Sequence, residues 1–104
     1  MTTELYKKVY QIGLKLPKSN RLGIFAKIEA NILEALENAI EASFLPRSQK
    51  APKLLLLRRK LEILKRLVRI VGDLEIIQQK TYIELSFELQ TISKMANGWI
   101  KSLP

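Results

Sequence analysis

Neither cysteine nor histidine occurs anywhere in the 104 residues. Their absence excludes disulfides, thiolate nucleophiles, the usual structural zinc sites and imidazole acid–base catalysis together. Glycine and proline number four each, too few for a low-complexity or fibrous chain. No segment approaches the roughly 20 apolar residues that a bilayer-spanning helix needs. The stretch Met1-Thr2-Thr3-Glu4 also lacks the basic residues and following apolar run of a leader peptide. The expectation is a cytoplasmic protein with no membrane partner.

What is present is a helix-favouring mixture, 47% apolar and rich in Leu, Ile, Lys and Glu. A chain of this length makes a single domain over residues 1–104, with a core small enough for a second copy to add to its stability. The net charge is +8, and it is concentrated. Residues 46–69 hold nine basic side chains against one acidic, Glu62, whereas residues 1–45 hold six against five and residues 70–104 three against four. A localised excess of this kind points to an acidic partner more strongly than a uniformly basic surface does.

Apolar spacing predicts four helices, over residues 3–15, 19–44, 52–78 and 81–101. The first carries Leu5, Val9, Ile12 and Leu16 at three- and four-residue steps and stops before Pro17, because a residue preceding proline is pushed out of the α region. The second follows Ser19 or Asn20 as a cap and places Phe25, Ile28, Ile32, Ala35 and Ala39 on one stripe, widened by Leu33, Leu36 and Ile40. Residues 45–53, with Pro46 and Pro52, read as a loop running into the third helix, whose first turn tolerates Pro52. The fourth has the clearest seam, with Tyr82, Leu85, Leu89, Ile92, Ala96, Trp99 and Leu103 alternating steps of three and four. Four helices with short connections and no strand pattern predict an all-α fold, an antiparallel up-and-down four-helix bundle.

The third helix carries the main functional signal. At 100° per residue, Arg58, Arg59, Lys65, Arg66 and Arg69 share an arc of about 120°. Such a row meets successive phosphates, with an affinity set largely by counterion release. A merely solvated basic face is the competing reading, and i,i+4 pairing of Glu62 with Arg58 and Arg66 fits it in part. Apolar residues on the same helix span about 200°, more than a bundle core requires. Either the first helix folds over the surplus or, as favoured here, copies of the chain cover it, multiplying the attraction for a polyanion by avidity. Base-stacking platforms are poorly supported, because Phe25, Phe87, Tyr82 and Trp99 lie on apolar stripes and read as core. Tyr6 and Tyr10, beside Lys7 and Lys8, read either as part of a binding surface or as a partly buried pair. No Glu-x-x-His metal motif, phosphate loop or acid–base pair can be assembled. The chain is read as a binding protein, not an enzyme, with no metal or cofactor.

Three stretches carry a family resemblance: Leu16-Pro17-Lys18-Ser19-Asn20-Arg21 leading into a long helix, the Leu- and Arg-rich segment Leu61 to Leu74, and Ile92-Ser93-Lys94-Met95-Ala96-Asn97-Gly98-Trp99-Ile100-Lys101. Together they make nearly the whole chain resemble the accessory variability determinant proteins of bacterial diversity-generating retroelements. The Gly-Trp-Ile-Lys segment is the most specific part. The resemblance implies a four-helix bundle assembled as a homopentameric ring, a non-catalytic partner of the element's reverse transcriptase that binds DNA and RNA while template RNA is copied into cDNA. Arg58, Arg59, Lys65, Arg66 and Arg69 are assigned to the nucleic-acid or polymerase-facing surface by charge and helical face alone. A related bundle, encoded in ribosomal RNA intervening sequences, keeps open a second reading: a structural adaptor docking an acidic protein partner. A membrane-surface role fits less well, since the bundle core already uses the apolar arc it would require.

Overall fold

A computed structural model describes residues 2–18 and 23–103. Within them the fold is all-α: helices α1 (Thr2–Leu14), α2 (Ile24–Phe44), α3 (Lys50–Asp73) and α4 (Gln79–Lys101), with a 3₁₀ turn, Arg47–Gln49, leading into α3. The bundle measures 45 × 21 × 18 Å.

Helix ends follow from local chemistry. Past α1, the amides of Lys15 and Leu16 bond the carbonyls of Ile12 and Gly13 at 3.1 Å, closing the helix before Pro17. The described part of α2 begins with Gly23 at its N-cap, without a side-chain cap; the caps expected at Ser19 or Asn20 lie outside the described residues. Helix α3 starts two residues before the predicted position, so Pro52 occupies the third position of the first turn, where its missing N–H has no intrahelical acceptor to lose.

The predicted end of α3 at residue 78 is too late. Glu75 adopts φ 57°, the left-handed conformation that ends many helices. The amide of Ile76 reaches back to the Val71 carbonyl at 3.0 Å, and that of Glu75 to Gly72 at 3.0 Å. These two bonds satisfy the last carbonyls in the manner of a Schellman turn. Apolar residues continue past the stop, and Ile77 is buried, which is why periodicity alone overran it.

The core takes one stripe from each helix: Leu5 and Val9 from α1, Phe25, Ile28, Ile32 and Ala35 from α2, Leu54, Leu57, Leu61, Leu64, Val68 and Val71 from α3, and Leu85, Leu89, Ile92 and Ala96 from α4. Ion pairs run along the seams between helices. Glu41 and Glu34 of α2 hold Lys53 and Lys60 of α3, and Lys60 also reaches Asn31 Oδ1 at 3.5 Å. Lys8 Nζ of α1 donates to Glu88 Oε1 of α4 at 2.6 Å, with Glu84 at 3.8 Å. At one end of the bundle Lys50 Nζ donates to the Ala42 carbonyl at 2.8 Å and lies 5.5 Å from the Trp99 ring centroid. Beside it Arg47 donates to the Ser102 carbonyl, so the α2–α3 connection and the last turn of α4 are tied together.

Candidate polyanion-binding face

Helix α3 turns its buried stripe inward and leaves the opposite side in solvent. Arg58, Arg59, Arg66 and Arg69 are exposed there, and Lys65 is half-buried at the edge facing α4. The structure therefore places all five predicted residues on one side of one helix. It also divides them by partner. Lys65 Nζ lies 3.1 Å from Glu62 Oε1 and Arg69 Nε 4.0 Å from Asp73, both exposed contacts that add little stability. The pairs expected of Glu62 with Arg58 and Arg66 do not form, because its carboxylate turns to Lys65 instead. Among the described residues the guanidinium groups of Arg58, Arg59 and Arg66 have no hydrogen bond or ion pair.

The other four cations of the basic segment have structural duties. Lys53 and Lys60 pair with α2, and Arg47 and Lys50 bond carbonyls at the bundle end. Of the nine basic residues in the segment, five thus lie on the outer side of α3, and the other four are held by α2 or by the last turn of α4.

Two shallow grooves border the face. One is lined by Pro52, Leu55, Leu56, Arg58, Arg59 and Glu62, where apolar and cationic surface meet. The other runs between α3 and α4 and is lined by Lys65, Arg69, Tyr82, Ser86 and Gln90. Sequence reading missed Ser86 and Gln90, whose amide and hydroxyl carry no signal until α4 is laid beside α3. Tyr82 was read as core, and it is half-buried against that core with one side on the groove.

The remaining aromatics fall on both sides of expectation. Phe25 is fully buried and Trp99 packs against the core. Phe87, read as core, is 72% exposed, because it lies about 160° around α4 from Leu85 and Leu89. Tyr6 and Tyr10 pair with ring centroids 6.3 Å apart; Tyr6 packs on the core while Tyr10 is exposed. Gly98 sits inside α4, where an added Cβ would meet nothing within 4 Å, so no neighbour among the described residues requires glycine at that position.

Among the described residues no three Asp or Glu side chains gather as a metal site, and no helix is long and apolar enough to cross a membrane. What the geometry shows is a row of exposed cations along the outer side of one helix.

Comparison with known proteins agrees with the residues that carry the resemblance. No curated protein and no solved structure matches the chain. A family model described as bAvd-like matches residues 1–103, essentially the full sequence and all four helices, and the chain accordingly belongs to the bAvd-like family.

Proposed function

We propose that this protein is a non-catalytic accessory protein of a diversity-generating retroelement. It binds the element's reverse transcriptase and nucleic acid, the template RNA and its cDNA, through the basic surface of α3 during mutagenic reverse transcription in the cytoplasm. Family membership supports the accessory role. The observation that carries the binding role is the exposed row of cations along α3, in which the Arg58 guanidinium has no acidic partner among the described residues and Lys65 and Arg69 have only weak, solvent-exposed ones. A cation without an internal partner is free to replace a counterion on a phosphate.

In this reading the working form is an antiparallel up-and-down bundle assembled as a homopentameric ring. The order of the ion pairs supports the first point: Glu34 and Glu41 ascend α2 while their partners Lys60 and Lys53 descend α3. The exposed apolar residues on α2, α3 and α4 support self-assembly.

The test is binding of purified protein to labelled DNA and RNA of unrelated sequence across a salt series. The same titration is run on the variant with Arg58, Lys65 and Arg69 each changed to Glu. Affinity should fall steeply with salt for both nucleic acids and vanish in the variant, with helicity and solution mass unchanged. No binding at low salt by the wild-type protein would overturn the nucleic-acid role.

One observation favours a second reading. The groove of Pro52, Leu55 and Leu56 beside Arg58 and Arg59 mixes apolar and cationic surface as protein partners do. An adaptor that docks an acidic protein would then bind that protein with little affinity for nucleic acid in the same titration.

A further inference from the structure

Beyond its basic arc, the outer side of α3 carries a second pattern. Leu56, Arg59, Ile63, Arg66 and Ile70 follow one another at steps of three and four, the spacing of a coiled-coil seam, and face away from the core stripe. The three apolar members are 42%, 38% and 43% exposed, and the two arginines are unpaired among the described residues. Helix α2 has a counterpart of opposite charge. Leu33, Glu37, Ile40 and Phe44 form an outward seam at steps of four and three, with Phe44 83% exposed. Glu37 sits within it and has no ion pair or hydrogen bond among the described residues, although Glu34 and Glu41 beside it are both held by lysines of α3.

We propose that copies of this chain join head to tail through these two seams, the outer seam of α3 in one copy docking on the outer seam of α2 in the next. The choice of occupant follows from charge. Covering Arg59 and Arg66 with apolar surface strands two cations, and covering Glu37 strands a carboxylate, each at a desolvation cost. Pairing α3 with α3 sets arginines against arginines, and pairing α2 with α2 sets Glu37 against Glu37. The unlike pairing brings the carboxylate between the arginines and buries apolar residues on both sides of it. The seams are also alike in length, about 16 and 21 Å at 1.5 Å per residue. Because the two surfaces differ, the contact is heterologous, the type that closes into rings when the rotation fits. The inference rests on the self-assembly included in the proposed function and adds which surfaces meet. It also assigns Arg59 and Arg66 to the contact between copies, leaving Arg58, Lys65 and Arg69 to face the polyanion.

The test measures solution mass of the full-length protein by light scattering, with circular dichroism to verify helicity. E37R and the pair R59E/R66E should each reduce the assembly to the 12.0 kDa chain, and the three changes combined should restore the wild-type mass. An assembled E37R protein, or a combined variant that remains a helical monomer, overturns the proposal while leaving self-assembly intact. A wild-type protein that is monomeric at all concentrations overturns both. If a charge variant fails to fold, cysteines supply the second route. Ile40 and Ile63 lie near the middle of their seams, so I40C/I63C in this cysteine-free chain should form inter-chain disulfides and neither single variant should. Cross-linking by a single variant, or none by the double, overturns the proposal.

Discussion

At the scale of single residues, the end of α3 holds the positions under most constraint. A Cβ added at Gly72 would lie 2.6 Å from Tyr82 Cδ2, a distance that forces the ring out of the crevice between α3 and α4. Gly72→Ala is expected to destabilise the bundle by about 1–3 kcal/mol, the range for overpacking. Three residues on, Glu75 holds φ 57°, a conformation that costs a side-chain-bearing residue about 1–2 kcal/mol and glycine almost nothing. Glu75→Gly should therefore raise stability by about 0.5–1 kcal/mol after the extra entropy of glycine in the unfolded chain is subtracted. Thermal denaturation of the two variants should move in opposite directions. Neither position was legible beforehand: Gly72 looked like any glycine inside a periodic helix, and nothing in a glutamate announces a left-handed stop.

At the scale of elements, α1 is the lightly held one. It is 13 residues long, buries Leu5 and Val9, and meets α4 through the bond from Lys8 to Glu88. That hydrogen bond, with the charges of Glu88 and Glu84, holds the Lys8 ammonium above its ordinary range despite partial desolvation. A raised value in the folded state means that the contribution is complete below the unfolded value of about 10.4 and is lost as pH climbs through the folded one. Hydrogen exchange along α1 should accordingly quicken above about pH 10.4 while α2 and α3 stay protected, and Lys8→Met should produce part of that loss at neutral pH. The effect is small, about 0.5 kcal/mol, because the pair is partly solvated. The inward stripes of all four helices were legible from periodicity, since burial of Leu and Ile at three- and four-residue steps dominates helix packing. Which carboxylates hold the lysines was not, because Glu41 and Glu34 come opposite Lys53 and Lys60 only once α2 is packed against α3.

At the scale of the whole molecule, charge and apolar surface share the outside of one helix. An isolated chain that engages about three phosphates should lose roughly 40-fold in affinity between 50 and 200 mM salt, from a slope of about −0.9 per phosphate. An assembly that presents several such faces to one strand should show a steeper slope, so the salt series reads avidity as well as charge. The outer row of the basic segment was legible from helical phase, whereas the partners that hold Arg47, Lys50, Lys53 and Lys60 required the fold. The tie at the bundle end has a further, optical consequence. Trp99 is the sole tryptophan of the chain, and its indole lies beside the Lys50 ammonium where the α2–α3 connection meets the last turn of α4. Its fluorescence is thus an intrinsic reporter of that junction: Lys50→Met should shift the emission without altering helicity, and docking of a partner over this end should be visible as a spectral change that needs no label.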